Sequence, residues 1–347
     1  MAALPSARDV ALDPEWLPHS FDADGQHLTS VFVPRAARTD LLFLSDGHFR
    51  DQFPKANFPV AAVAAEASPA AQAPIHFVFN TSFCCSTLLA KALDVSGVAA
   101  SVREPNILVD LAERLIRADN PANRALLELG LCLLERPLAP HEAIVVKPSN
   151  FANRLAEPTL MLRPASRAVL LYSDAGTFLR SLLKRGLLAR INGRKLYQKL
   201  VAWTPIGFGF SDVETFDQTD LQIAGLAWLM QIANLQRMVE HFGPERVMPL
   251  DAADLLADPA ASLQRVESLF QLGLGDEAID RIVAGLVFSK HSKYSDVDYD
   301  RDARESEHDS LMKVHGEELG MVLQWLDAVA QHFGIQTRPG TRTVGAA

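Results

Sequence analysis

The sequence predicts an α/β fold with a mostly parallel central sheet and helices on both faces, forming a three-layer sandwich. From residue 74 onward, short runs rich in Val, Ile and Leu alternate with longer segments of helical periodicity. This alternation is typical of parallel sheets. The chain has 347 residues, of which 48% are hydrophobic, so it can supply the core of such a domain. The predicted strands are 75–79, 98–102, 143–146, 167–172 and 246–250.

The helices follow from apolar residues spaced three or four apart. The segment 219–242 has such a stripe and further apolar residues on its other faces, which predicts a largely buried helix. Asn106 is expected to cap the helix that follows it, and Asp174 is expected to cap another. The other predicted helices are 86–95, 107–118, 122–135, 262–270 and a last one with Val322, Leu326, Val329 and Phe333 on one side.

The first 73 residues differ in composition from the rest. Pro, Asp, His and short apolar runs alternate there, and the Ala/Pro-rich stretch AAVAAEASPAAQAP closes the segment. We interpret residues 1–73 as an N-terminal extension with two short strands and a linker. Residues 74–334 are then the main domain, and residues 335–347 are predicted to be a disordered tail.

Charge and cysteine content exclude several classes of protein. The formal net charge is -9 and no run of Lys or Arg occurs, so we expect neither a nucleic-acid nor a membrane partner. The sequence has no apolar stretch of about 18 residues, and Asp9 and Asp13 interrupt the region where a signal peptide needs its apolar core. Three cysteines without a CxxC pair favour a reducing cytoplasmic location. Without HxH or HExxH spacing, no metal site is predicted.

A tight turn follows the first strand of the main domain. The segment IHFVF-NTSFCCST-LLAKALD matches the spacing of the phosphate-binding pattern G-x-x-x-x-G-K-S/T, with Asn80 and Cys85 at the glycines and Ser86 in place of the lysine. The missing lysine argues against ATP or GTP hydrolysis and against a kinase. Backbone amides with Ser86 and Thr87 can still bind a phosphate. The alternative is an ordinary turn with a capping serine, in which Cys84 and Cys85 are small buried residues or reactive thiols.

Two charged residues end neighbouring segments. Glu104 precedes Pro105, which is expected to hold it in extended geometry at a strand end, where a general base would sit. Alternatively, Glu104 forms an ion pair with Arg103 or Arg167 or acts as a cap. Lys147 ends another strand and could neutralise a phosphate or a leaving oxygen. The alternative for Lys147 is a solvated side chain.

These segments, in this order, resemble the sulfotransferase family, which has a P-loop-like fold. The family turn G-x-P-R-S-G-T-T-L-L corresponds to residues 80–89, although Phe83 replaces a basic residue. In the second family signature, Ser173 occupies the position of an arginine and Ser181 that of a serine. Residues 288–294, FSKHSKY, resemble the loop that covers the cofactor's 3'-phosphate, or are simply an exposed basic loop.

The resemblance implies transfer of a sulfuryl group from 3'-phosphoadenosine-5'-phosphosulfate to a hydroxyl or amine of a small-molecule acceptor. Glu104 would take the acceptor's proton and Lys147 would stabilise the leaving oxygen. Arg180, Lys184 or Arg185 could replace the missing arginine, or be solvated. The alternative function is a non-catalytic relative that binds a nucleotide or a protein partner. The implied cofactor-binding residues are Thr81, Ser82, Phe83, Cys84, Cys85, Ser86, Thr87, Ser173, Ser181, Lys290 and Lys293.

Overall fold

The computed structural model of the chain describes residues 4–49, 52–67, 72–289 and 301–340, and the side chains of 286, 289 and 301–312 are not described. The predicted tail falls partly at residues 341–347, which lie outside the described residues. Within these ranges, no helix combines the length and the apolar character that a membrane crossing requires.

The described residues form two sheets. Their strands are β1 (Trp16–Phe21), β2 (His27–Phe32), β3 (Lys55–Pro59), β4 (Ile75–Asn80), β5 (Ala99–Arg103), β6 (Ala143–Lys147), β7 (Ala168–Tyr172) and β8 (Val247–Asp251). The first three strands form an antiparallel sheet in chain order. The other five form a parallel central sheet in the order β5-β6-β4-β7-β8, with helices around it. The predicted α/β class is therefore confirmed.

Helices connect most of these strands. A 3-10 helix covers Asn150–Leu155. The α-helices are α1 (Ala7–Leu12), α2 (Arg35–Asp40), α3 (Asp46–Phe49), α4 (Val60–Glu66), α5 (Ser86–Ala92), α6 (Asn106–Arg117), α7 (Pro121–Leu134), α8 (Ala156–Leu162), α9 (Ala175–Lys184), α10 (Gly186–Trp203), α11 (Asp212–Asp217), α12 (Asp220–Phe242), α13 (Ala252–Ala257), α14 (Pro259–Phe270), α15 (Asp276–Ala284), α16 (Leu286–Ser289) and α17 (Arg301–His332).

The central strands lie where the sequence predicts them. Each predicted strand is present, and each of its ends differs from the prediction by at most one residue. Helix α14 begins earlier than predicted because Pro259, whose missing N–H is not needed in the first turn, occupies the first helical position. Helices α10 and α11 were not predicted. The buried side of α10 consists only of Gly193, Leu196, Tyr197 and Leu200, which is too little for a clear apolar stripe.

The chain divides into two compact units. The first comprises Met1–Phe79, Ser86–Ala168 and Gln264–Ile282. The second comprises Asn80–Cys85, Val169–Leu263 and Val283–Ala347. The N-terminal residues thus belong to the same unit as β4, β5 and β6.

The N-terminal region is more structured than predicted. It has three strands instead of two, and α4 lies within the stretch predicted to be a linker. Helix α4 packs against α1, burying Val63 and Val10. The buried guanidinium of Arg136, at the end of α7, donates to the carbonyl oxygens of Val10 (2.6 Å) and Trp16 (2.6 Å). These bonds fix the first helix and the first strand to the rest of the unit.

Helix α12 forms the core of the second unit, and its burial on most sides is as predicted. The indole Nε1 of Trp228 donates to the carbonyl oxygen of Ser173 at 3.0 Å. Helix α10 approaches α12 closely at Gly193, where an added Cβ would lie 3.1 Å from the Cβ of Ala224. Any larger residue at this crossing would require Ala224 to shift by a few tenths of an ångström.

A buried histidine makes the stability of the first unit depend on pH. The ring of His76, in β4, stacks on Phe270 with a centroid distance of 4.8 Å, and its Nδ1 accepts from the Arg167 amide at 3.2 Å. Burial, together with the positive charge of Arg167, lowers the pKa of His76 to about 4. The folded chain therefore holds this side chain neutral.

Acidification should destabilise the protein through His76. The pKa of an unfolded histidine is about 6.5, so between about pH 6.5 and pH 4 the unfolded chain binds more protons than the folded chain. We expect the free energy of unfolding to fall by about 2 kcal/mol from pH 7 to pH 5 through this residue. Urea unfolding of the wild type and of His76→Gln between pH 7 and pH 5 measures this fall in the free energy of unfolding. Equal pH slopes for the two proteins would contradict the assignment.

Candidate functional site

Three parallel strands of the first unit end at one edge of the central sheet. Strand β6 pairs with β4 on one side and β5 on the other, and Arg103 is in register with Lys147. The carboxyl ends of parallel neighbours meet at the same edge, which is where α/β proteins bind ligands. The chain leaves this edge through the turn before α5, through Glu104 and through Lys147.

Glu104 does not have the predicted extended geometry. Its φ is +50°, in the left-handed region that few residues other than glycine adopt. Its amide donates to the carbonyl oxygen of Lys147 at 2.7 Å. This conformation departs from the extended geometry that a proline favours for the residue before it, and α6 begins two residues later at Asn106.

This turn also makes the predicted cap at Asn106 wrong. Pro105 occupies the capping position of α6 without a side-chain hydrogen bond, and Asn106 is the first helical residue. The Asn106 amide nitrogen Nδ2 instead donates to the carbonyl oxygen of His19 at 3.3 Å. Asn106 is therefore a link to β1.

The two predicted catalytic residues contact each other. The Lys147 ammonium forms a hydrogen-bonded ion pair with the Glu104 carboxylate. The Lys147 side chain is 3% exposed and that of Glu104 is 22% exposed. Two of the alternatives are therefore wrong: Lys147 is not solvated, and the partner of Glu104 is neither Arg103 nor Arg167. Arg103 instead pairs with Asp94 at 3.1 Å, and Arg167 donates to a backbone carbonyl.

The turn after β4 has an unusual backbone. Ser82, Phe83 and Cys85 have φ values of 70°, 52° and 62°, all in the left-handed region. The amide of Ser82 donates to Oδ1 of Asn80 at 3.1 Å, which closes the start of the turn. Successive residues of this kind direct backbone N–H groups into a concave anion-binding nest. Strained backbone of this type is concentrated at functional sites.

Side chains of the turn pack into the second unit. Cys84 is fully buried and its thiol donates to the carbonyl oxygen of Leu171 at 3.3 Å, so the small-buried-residue interpretation holds for Cys84. The Phe83 ring lies 5.5 Å from that of Phe178. The guanidinium of Arg185 lies 5.3 Å from the Phe83 ring centroid. A cation thus lies beside the position where the family pattern has a basic residue.

The hydroxyls of this region fit a phosphate ligand. Ser86 and Thr87 are buried at the start of α5. Within the part of the chain that the structure describes, Thr87 Oγ1 and Thr81 Oγ1 have no hydrogen-bond partner. Because buried hydroxyls are nearly always paired, such groups are natural partners for a ligand oxygen.

The structure describes only some of the residues that are predicted to bind the 3'-phosphate. Ser173 follows β7 and is buried, and its Oγ has no partner among the described residues. Ser181 is half-buried on α9. Asp174 caps α9 by accepting from the Thr177 amide at 2.9 Å, as predicted. Lys290 and Lys293 lie outside the described residues.

The described ranges contain no cluster of three or more His, Cys, Asp or Glu side chains placed to hold a metal ion. The polar groups of the candidate site are its ion pair, its backbone amides and its hydroxyls. Each of these groups can bind or polarise an anion without a metal.

Among solved structures, the chain is similar to sulfotransferases and to a retinol dehydratase. The chain is similar to the sulfotransferase domain from the curacin biosynthetic pathway (15% identity, 76% of this chain and 98% of that one, TM-score 0.41). It is also similar to a sulfotransferase from Mycobacterium tuberculosis (14%, 65% and 75%, TM-score 0.40). Retinol dehydratase, solved with androsterone and the inactive cofactor PAP, is similar at 10% identity (73% and 80%, TM-score 0.34).

No protein-family model matches the sequence, and no curated protein matches it either.

The Lys147–Glu104 pair should show strong energetic coupling. Glu104→Gln leaves the buried Lys147 ammonium without its anionic partner, and Lys147→Met leaves the partly buried Glu104 carboxylate without its cation. We expect each change to lower the free energy of unfolding by about 2 kcal/mol. The double variant should lose at least about 1 kcal/mol less than the sum of the two. Urea unfolding of the four proteins gives the coupling.

The Arg117–Glu113 pair on α6 provides the matched control. Its atoms lie 3.5 Å apart and its side chains are 74% and 37% exposed, so its coupling should stay below about 0.5 kcal/mol. Additive effects at Glu104 and Lys147, as in this control, would show that the pair contributes nothing to stability.

Proposed function

We propose that this protein transfers a sulfuryl group from 3'-phosphoadenosine-5'-phosphosulfate to a hydroxyl or amine of a small-molecule acceptor. The observation that carries the proposal is the nearly buried Lys147–Glu104 pair at the carboxyl ends of two neighbouring parallel strands. A carboxylate and an ammonium at such an edge provide a proton acceptor and an anion ligand within one hydrogen bond of each other.

The turn would bind the 5'-phosphate. Its left-handed residues form the nest, and the Thr87 hydroxyl offers an unpaired donor at the start of α5. Arg185, beside Phe83, would supply the positive charge that the turn lacks. We assign the 3'-phosphate to Ser173, Ser181, Lys290 and Lys293, as the family resemblance implies. The main domain at 74–334 would carry this chemistry.

The reaction requires two events at the sulfur atom. The acceptor oxygen or nitrogen forms a bond to sulfur, and its proton passes to the Glu104 carboxylate. The bond between sulfur and the bridging phosphate oxygen breaks, and Lys147 donates a hydrogen bond to the negative charge that develops on that oxygen.

The acidic composition supports further parts of the proposal. With a net charge of -9, we propose a protein without nucleic-acid or membrane partners, and the three cysteines without a CxxC pair support a cytoplasmic location. The second candidate function, a non-catalytic nucleotide- or partner-binding protein, is favoured by one observation. Ser173 stands in place of a charged family residue, and it is buried.

Binding of adenosine 3',5'-bisphosphate tests the phosphate site. We expect isothermal titration calorimetry to show binding by the wild type. Thr87→Val and Arg185→Gln should each weaken it about five-fold or more, because each removes one hydrogen-bond or charge contact. Lys195→Gln, at an exposed lysine of α10, is the control and should bind like the wild type. Absence of heat and of a thermal shift at about 1 mM ligand would refute the proposal.

Transfer of labelled sulfate to a broad acceptor panel separates the two candidate functions. Glu104→Gln should bind the bisphosphate within about two-fold of the wild type and lose at least about 100-fold in transfer rate. Transfer that is unchanged in Glu104→Gln would exclude this residue as the base. Binding without sulfation of any acceptor would favour the non-catalytic alternative.

A further inference from the structure

A short N-terminal segment, residues 41–44, lies against the Lys147–Glu104 pair. The amide of Leu44 donates to the carbonyl oxygen of Arg103 at 2.7 Å, and the carbonyl oxygen of Leu44 accepts from the amide of Asn106 at 3.2 Å. These two bonds lie on either side of Glu104 and Pro105. We call residues 41–44 the strap.

The strap also contacts the other member of the pair. The Nζ atom of Lys147 lies 5.0 Å from the centroid of the Phe43 ring. Cation–π attraction at this distance strengthens when the cation is removed from water, and the Lys147 side chain is 3% exposed. Phe43 itself is half-buried, and the centroid of its ring also lies 5.0 Å from that of the His48 ring.

The position of the strap is fixed from the central sheet. Arg103, the last residue of β5, is fully buried and donates through Nη2 to the carbonyl oxygens of Leu41 (2.9 Å) and Thr39 (3.3 Å). Its Nη1 pairs with Asp94. The strap is thus held at Leu41 by a side chain and at Leu44 by backbone bonds, and Phe43 lies between these two anchors.

We propose that the strap is a positioning element of the candidate active site and that Phe43 is the positioning residue for Lys147. The backbone bonds of Leu44 hold the residues on both sides of Glu104, which helps to maintain its left-handed conformation. The Phe43 ring covers the ammonium and directs it toward Glu104. The N-terminal extension is therefore part of the site. Its catalytic consequence rests on the proposed function, but the positioning of Lys147 does not.

Chemical labelling of Lys147 tests this without a ligand. The rate of acetylation by acetic anhydride, followed by peptide mass spectrometry, reports how freely each lysine amine is exposed. We expect Phe43→Leu to raise the Lys147 rate about five-fold, because the ring that covers and attracts the ammonium is lost. Phe43→Tyr, which keeps the ring, should label like the wild type.

Two controls distinguish a loss of Lys147 positioning from a general loosening of the fold. Phe53→Leu makes the same change at another half-buried N-terminal phenylalanine, whose ring lies 5.7 Å from Phe49, and should leave Lys147 labelling unchanged. Lys91, a half-buried lysine of the same unit, should label at the wild-type rate in Phe43→Leu. Urea unfolding confirms that each variant is folded under the labelling conditions, and Phe43→Met replaces the leucine variant if that one is unfolded.

The labelling results test whether Phe43 positions Lys147, independently of the proposed function. A folded Phe43→Leu protein with wild-type labelling of Lys147 would overturn it, as would a parallel rise at Lys91. Fast labelling in Phe43→Tyr would also overturn it. If adenosine 3',5'-bisphosphate does not bind the wild type, the proposed function fails, but the labelling result still stands. If the bisphosphate does bind, Phe43→Leu should bind it a few-fold more weakly than the wild type, and Phe43→Tyr should bind it like the wild type.

Discussion

The ion pair between Lys147 and Glu104 is the interaction on which the geometry of the site depends. The Lys147 ammonium, on a side chain that is 3% exposed, has lost most of its contact with water, and this loss of hydration must be offset by a nearby anion and by hydrogen bonds. That requirement fixes the ends of β5 and β6 relative to each other. In its left-handed conformation, Glu104 contacts Lys147 twice: its amide donates to the Lys147 carbonyl oxygen and its carboxylate pairs with the ammonium.

The turn after β4 depends on its backbone conformation. A phosphate-binding loop usually combines glycines with a lysine, and this chain has neither at the expected positions. The backbone nevertheless adopts left-handed conformations at Ser82, Phe83 and Cys85, at an expected cost of about 1 kcal/mol or more each. The guanidinium of Arg185, the residue after α9, lies 5.3 Å from the Phe83 ring centroid. Under the proposed function, this cation would supply the positive charge that the motif's lysine provides elsewhere.

The sequence predicts the central sheet well and the site only in part. Short apolar runs identify β4 to β8 to within one residue, and β4 to β7 are buried along their whole length, as strands covered on both faces are. Glu104 and Lys147 were identified as strand-end residues, but their pairing spans 43 positions and no local pattern encodes it. The strap was missed because its contacts are backbone bonds and one ring, and neither leaves a periodic signal. The left-handed turn was missed because glycine, its usual marker, is absent.

A crystal structure grown with adenosine 3',5'-bisphosphate would test the central claim most directly. The account predicts that oxygens of the 5'-phosphate accept from backbone amides of residues 82–87, and that the Lys147 ammonium donates to the same phosphate at about 2.7–3.2 Å. A bisphosphate bound elsewhere on the chain would contradict it. So would a phosphate in the turn with Lys147 bonded to Glu104 alone.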